Sequence, residues 1–98
     1  MNQKSYNNFF INFANRTKLS IIMVLKDGPL SVSEITKKVK GEQSAISHNL
    51  RKLKMCHILD VRKEGRERFY SLNKDTVMPM LKLAVRHVRK HCSGGCCK

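Results

Sequence analysis

Residues 31–56 read SVSEITKKVKGEQSAISHNLRKLKMC, and this stretch decides the fold. Ser31 followed three residues on by Glu34 is a capping box, in which each residue satisfies a backbone N–H that the helix start leaves open. The helix it opens turns Val32, Ile35 and Val39 inward and ends near Lys40-Gly41. A second helix follows almost at once, from about Glu42 to Cys56. Its apolar stripe is Ala45, Ile46, Leu50 and Leu53. Its opposite face is Ser44, Ser47, His48 and Arg51, again at i, i+3, i+4, i+7. Two short helices joined by a tight Gly-containing turn, the second polar and basic outside, make a helix-turn-helix pattern.

Downstream the period changes to two. Leu59 to Lys63 and Glu67 to Leu72 flank Glu64-Gly65-Arg66, which predicts a β-hairpin with glycine in its turn. Arg62, Lys63, Arg66 and Arg68 make the hairpin tip basic, and a hairpin after a recognition helix is a wing. The last helix starts near Asp75, with Pro79 tolerated close to its first turn. Val77, Leu81, Ala84 and Val88 form its seam, with Met80 and Val85 beside it, and Arg86, Arg89 and Lys90 face outward. It is expected to fray around His91 to Ser93, before Gly94-Gly95.

Upstream, Tyr6, Phe9, Phe10 and Phe13 recur at helical spacing and hold four of the six aromatic residues. Asn15 is a good N-cap for a core helix running to about Lys26, in which Leu19, Ile21, Ile22, Met23, Val24 and Leu25 cover most of the circumference. Asp27-Gly28-Pro29 ends it. The aromatic stripe and the last helix's seam exceed what a 98-residue subunit can cover. They predict a homodimer through Phe9, Phe10, Phe13, Leu81, Ala84 and Val88.

Charge narrows the function. Twenty Lys and Arg stand against seven Asp and Glu, a formal net charge of +13, which suits a polyanionic partner. The few carboxylates sit mostly beside Lys or Arg. There is no Gly-rich phosphate loop, HExxH or GxSxG, so the chain does not read as an enzyme. No apolar run reaches membrane-spanning length, and MNQKSYNNFF lacks a signal peptide's layout, so a cytoplasmic protein without membrane contact is expected.

The expected partner is a double-stranded DNA operator. Gln43, Ser44, Ser47, His48 and Arg51 can reach base edges and phosphates from the second helix of the pair. Lys52, with Lys37, Lys38 and Lys54, serves the phosphate backbone or solubility. Lys63, Arg66 and Arg68 on the wing reach the minor groove or its phosphates, or protect a sheet edge by charge.

The four cysteines are placed unevenly, unlike a secreted disulfide framework. Cys56 stands alone and is expected to fill a small buried position at the helix end, with His57 a left-handed cap residue. Cys92, Cys96 and Cys97 crowd the C-terminus around two glycines. Three thiolates there can converge on a soft ion such as arsenite, antimonite, cadmium, zinc or cuprous copper, with His87 or His91 as further ligands. A reversible disulfide and a functionless tail are the other readings. No cofactor is required for folding.

Three segments carry a family likeness: FANRTKLSIIMVLKDGPLSVSEI (residues 13–35), QSAISHNLRKL (43–53) and EGRERFYSL (64–72). In that order and spacing, from about residue 8 to 90, the chain resembles the ArsR/SmtB family of prokaryotic winged-helix repressors. The resemblance implies a homodimer whose first and last helices form the interface and whose two recognition helices enter successive major grooves of an inverted repeat. Many members release DNA on binding metal ions or metalloids, some of them through C-terminal cysteines, and other members have no metal site.

Against that family the chain departs informatively. The arsenic and cadmium motif ELCVCDL aligns with residues 29–35, which puts Ser31 and Ser33 where the cysteines would be. At the family's last-helix site the early positions are Lys74 and Thr76, and only His87 falls on a ligand position. Glu42 replaces the usual serine cap of the recognition helix, and His57 stands where glycine is common.

The expected architecture is mainly α with a small β-hairpin: a dimeric winged helix-turn-helix in the order α-α-α-α-β-β-α. Residues 1–91 form the DNA-binding and dimerisation domain, and residues 92–98 a flexible Cys-rich tail. The expected function is a transcriptional repressor released by a thiophilic ion. The alternatives are a redox-sensing or metal-independent regulator of the same fold, and a small basic protein that coats nucleic acid or buffers metal.

Overall fold

Side-chain caps set several of the helix boundaries in the computed structural model, which describes residues 3–92. Helix α1 (Gln3–Ala14) gives way to α2 (Arg16–Val24), where the Asn15 side chain accepts from the Lys18 N–H at 3.0 Å. A short strand β1 (Leu30–Ser31) leads into α3 (Val32–Val39). There Ser31 Oγ accepts from the Glu34 N–H at 3.2 Å, and the Ser31 N–H donates to Glu34 Oε1 at 2.9 Å. Helix α4 (Gln43–Met55) begins at Glu42 with no side-chain cap, as the sequence suggests.

Strands β2 (Leu59–Glu64) and β3 (Glu67–Leu72) follow, then α5 (Val77–His87) and a π-helical turn (Val88–Cys92). Helix α5 is prepared by Asn73, whose Oδ1 accepts from the N–H groups of Asp75 and Thr76 at 2.9 and 3.2 Å. The Asn73 amide also donates to the His57 carbonyl at 3.0 Å, tying the end of α4 to the start of α5.

The hairpin adds a third partner that the sequence does not announce. The sheet order is β1-β3-β2, all antiparallel, with Leu30 opposite Tyr70 and Ser31 opposite Phe69. Two residues carry no periodicity, so β1 is defined only by its pairing. The hairpin register puts Leu59 opposite Leu72 and Glu64 opposite Glu67. The turn is therefore two residues, with Gly65 at φ 61 in a position that strongly favours glycine.

The turn between α3 and α4 divides its labour. Lys40, not Gly41, takes the left-handed conformation, at φ 60. Gly41 allows close approach: a Cβ there would lie 3.1 Å from Ile46 Cδ1, so the isoleucine would have to shift by a few tenths of an ångström. His57 is left-handed at φ 59, as its place after α4 predicts.

One core gathers Ile21, Ile22 and Leu25 from α2, Ile35 from α3, and Ile46, Leu50 and Leu53 from α4. Ile58, Leu59, Tyr70 and Leu72 close it from the sheet side, and Val77 and Leu81 from α5. Each such aliphatic side chain contributes roughly 1.5–3 kcal/mol on full burial. Phe9 and Phe13 pack against this core from α1, while Tyr6, Phe10 and Ile11 remain exposed. Asn12 is buried beneath α1, with its amide donating to the Asn8 and Phe9 carbonyls and its oxygen accepting from Lys18 Nζ.

Two expectations about burial are corrected. Ala45 is exposed rather than part of the α4 stripe, because Ile46 alone fills the interior over Gly41 in that first turn. Cys56 is exposed rather than buried. Leu53 before it and Ile58 after it take the interior positions, leaving Cys56 at the rim of a shallow pocket with Ser5, Asn8, Phe9 and Asn12. Val88 to Cys92 continue the winding of α5 where fraying was expected from His91, and Ser93 to Lys98 lie outside the described residues. No helix among the described residues is long and apolar enough to cross a membrane.

Candidate nucleic-acid interface

The polar face of α4 and the wing converge. Ser47 and Arg51 line a cleft of about 590 Å³ together with Lys54 from α4 and Lys63 and Arg68 from the wing. Val32, Val61 and Tyr70 form its apolar base. A neighbouring cleft of about 460 Å³ brings Gln43 and Ser47 to Lys63, Arg66 and Arg68, with Ser33 and Glu67 on its walls. Gln43, Ser47, Arg51, Lys63, Arg66 and Arg68 thus share one surface. Ser44, His48 and Lys52 are exposed on α4 but line neither cleft.

Lys54, expected to serve either phosphate contact or solubility, lines the first cleft. The signal was present, since Ser47, Arg51 and Lys54 step by four and three along one helix face. Ser33 and Glu67 had no such signal, because their place depends on how the wing folds back over α3.

The basic side chains of this surface, with Glu67 beside them, are outside the ion pairs found among the described residues. Among the described residues, ion pairs join Lys26 to Asp27 at 3.3 Å and Arg62 to Glu64 at 3.0 Å. Neither draws on Arg51, Lys54, Lys63, Arg66 or Arg68. Behind them, Glu34 has its carboxyl held below the ordinary carboxylate range. The Ser31 backbone N–H is the largest cause, followed by the Ser31 hydroxyl, with Lys38 and Lys37 assisting. Glu34 therefore stays ionised as a cap.

The serine pair that occupies the ELCVCDL cysteine positions is close, with Ser31 Oγ 3.3 Å from Ser33 Oγ. The geometry brings two side chains together, but hydroxyls are hard, weakly acidic donors and supply no thiolates. On α5 the His87 and His91 rings lie 4.8 Å apart at 44°. Cys92 is disulfide-bonded, and Cys56 is a free thiol. The other members of the sequence-predicted ligand set, Cys96 and Cys97, lie outside the described residues. Among those described, no three His, Cys, Asp or Glu side chains gather as a metal site.

The interface residues divide as well. Phe9 and Phe13 are half-buried against their own core, and Leu81 is only 5% exposed within it. Phe10, Ala84 and Val88 are exposed, joined by Leu83, which lies outside the predicted interface set.

A basic recognition helix beside a basic wing, on a three-stranded sheet packed by helices, defines a winged helix-turn-helix DNA-binding protein. The chain belongs to the ArsR/SmtB family of transcriptional regulators. The family model "Bacterial regulatory protein, arsR family" matches residues 15–61. Over 73 residues the chain is 36% identical to the transcriptional activator HlyU of Vibrio cholerae, covering 74% of this chain and 68% of that protein. The solved structure of HlyU superposes with a TM-score of 0.75 at 31% identity, over 94% of this chain and 99% of that one.

The chain is also similar to a Staphylococcus aureus cadmium resistance regulator, a CadC homologue. Identity there is 32% over 80 residues, covering 82% of this chain and 65% of that protein. A homodimeric winged helix-turn-helix domain from Mycobacterium bovis shares the fold at a TM-score of 0.81 and 23% identity, over 90% of this chain and 82% of that one. HlyU and the CadC homologue are named as transcriptional regulators, and the Mycobacterium bovis domain as DNA-binding.

Proposed function

We propose that the chain is a homodimeric repressor that reads an inverted-repeat operator and releases it when its C-terminal cysteines engage a thiophilic ion. The observation that carries the reading is the meeting of Ser47, Arg51 and Lys54 with Lys63 and Arg68 around one cleft. This arrangement suits a duplex edge, with α4 in the major groove and the wing on the adjoining backbone. Two copies are supported by the exposed Phe10, Leu83 and Val88, which lie on the two helices that pack at the family's dimer interface.

The effector reading rests on donor chemistry. Once reduced, Cys92, Cys96 and Cys97, which follow α5 in sequence, are soft ligands that suit arsenite, antimonite, cadmium or zinc, whereas Ser31 and Ser33 do not. The cadmium resistance named for the CadC homologue supports a metal-responsive role. An ion gathered at the end of α5 repositions that helix against its partner and changes the spacing of the reading heads. A few kcal/mol of coupling suffices for release.

Operator-binding anisotropy tests the reading, with wild type and the Cys92→Ser, Cys96→Ser, Cys97→Ser triple variant titrated with arsenite and cadmium under reductant. The expected result is release of the wild type alone, weakening as pH falls because thiolates must lose protons to bind. Release of the triple variant, or no release of the wild type, overturns it. The second reading, a redox regulator, is favoured by the disulfide at Cys92. In that case a mild oxidant without metal changes operator affinity in the same assay.

A further inference from the structure

A cavity of about 570 Å³ lies between the end of α2 and α5, sharing no lining residue with the two clefts at the wing. Its floor is apolar: Met78, Leu81 and Val85 lie at i, i+3, i+7 on one face of α5. The floor is firm, since Leu81 belongs to the core and Met78 and Val85 pack against it. Its rim carries Lys82, Arg86, Arg89 and Lys90, all exposed. The carboxylate in the lining, Asp27, is already engaged by Lys26 at 3.3 Å.

This concentration of charge carries a cost. Lys82 and Arg86 are a like-charged pair at i, i+4 on α5, which destabilises a helix, and Arg89 and Lys90 add two further cations in the π-helical turn that follows. Long cationic side chains do cover apolar surface with their stems, but that role needs no such crowding. An anion among the four heads removes the repulsion, and an apolar body attached to it fills the floor. The volume lies within the usual range of small-molecule sites, roughly 300–1,000 Å³.

We propose that this groove binds an amphipathic carboxylate of the fatty-acid type, its chain on Met78, Leu81 and Val85 and its head among Lys82, Arg86 and Arg89. A second copy laid here through its own α5 would bring the same positive charge to the rim. The more exposed apolar residue of α5, Leu83, lines a neighbouring groove with Met80, Ala84 and His87, which shares Arg86 and Lys90 with this one.

The full chain is titrated calorimetrically, without DNA, with decanoate below its aggregation threshold. Acetate, inorganic phosphate and decyltrimethylammonium serve as comparison probes. Saturable decanoate binding, one per chain, is expected, with none of the three comparison probes saturating. Arg86→Glu and Lys82→Glu are exposed substitutions and should each weaken decanoate at least about tenfold, the equivalent of about 1.4 kcal/mol, with the melting temperature no lower than that of the wild type, since each replaces a like-charged pair by an opposite-charged one. Absence of saturation, equal binding of decyltrimethylammonium or of phosphate, or indifference to both substitutions overturns the proposal. So does concentration-dependent burial of the Met78 and Val85 methyl groups by a second copy, seen by NMR without ligand. Operator affinity is not read in this experiment, so its outcome is independent of the repressor reading.

Discussion

Helices α4 and α5 are both amphipathic and both strongly basic, yet one is finished by its own chain and the other is not. On α4, Ile46, Leu50 and Leu53 are all buried, and the outer face is polar nearly throughout until Met55 at its end. On α5, only Val77 and Leu81 are buried. Farther along, Leu83 is 58% and Val88 54% exposed, and across the molecule Phe10 on α1 is 54% exposed. The reading head is thus a complete local fold, whereas α1 and α5 each present apolar side chains that the subunit leaves uncovered. A chain of this size cannot complete both from one core.

The sharpest way to break that contrast is to substitute a leucine on each helix. Leu50→Ala opens the shared core and should cost about 2–5 kcal/mol in urea unfolding. Leu83→Asp should leave the secondary structure intact while sedimentation shifts from dimer to monomer, because burying an unpaired charge is strongly unfavourable. Phe10→Asp should behave likewise. A dimer persisting in both aspartate variants, or a cooperative core little affected by Leu50→Ala, removes the distinction. Leu81→Arg does not probe the dimer, since its side chain is enclosed by its own subunit.

On the finished side, the comparison sharpens into two kinds of contact. Ser47→Ala and His48→Ala should lose discrimination between operator and random duplex, by about 1–3 kcal/mol where a base edge is involved. Lys54→Ala, Lys63→Ala and Arg66→Ala should weaken both duplexes alike and lower the salt slope by about one each. Equal losses on both duplexes for Ser47→Ala and His48→Ala would move the reading face elsewhere.

The helix order and the wing were legible because they rest on local rules. The Ser31/Glu34 box, the Asn15 cap and the glycine in the two-residue turn each act within a few residues. What escaped depends on neighbours distant in sequence. Strand β1 exists only through Tyr70 and Phe69. Cys56 is pushed outside because Leu53 and Ile58 compete for the interior. The seam of Val77, Leu81, Ala84 and Val88 is one stripe in sequence, but the body of the subunit ends beneath it after Leu81. At the site, the α4 face was readable from spacing. The contribution of Ser33 and Glu67 was not, since it follows from the fold of the wing over α3.

The next effect lies within the helix-turn-helix itself, where α3 is fully capped and α4 is not. Ser31→Ala removes the hydroxyl that accepts the Glu34 N–H, and should cost about 1 kcal/mol of unfolding free energy. Glu42→Ala at the start of α4 should cost far less, because Glu42 makes no side-chain cap bond. Comparable losses in urea melts would show that the observed caps do not govern these helices.

The smallest effect is a pH dependence confined to the same cap. Glu34 is held below its ordinary range, chiefly by the Ser31 backbone N–H. A carboxylate whose folded value is depressed binds its proton more readily when unfolded, so its contribution is fully present above the unfolded value and fades as pH falls through the folded one. Glu34→Gln keeps an oxygen for the Ser31 N–H but removes the charge and its attraction to Lys37 and Lys38. The stability difference between wild type and Glu34→Gln should therefore be constant near neutral pH. It should shrink as pH falls from the ordinary glutamate range to below it. The carboxylate is exposed, so the effect is small and calls for paired urea melts at several pH values, at low salt, where screening is weakest. A difference that grows on acidification, or stays constant through that window, would place the stabilisation of α3 in the Ser31 hydroxyl alone.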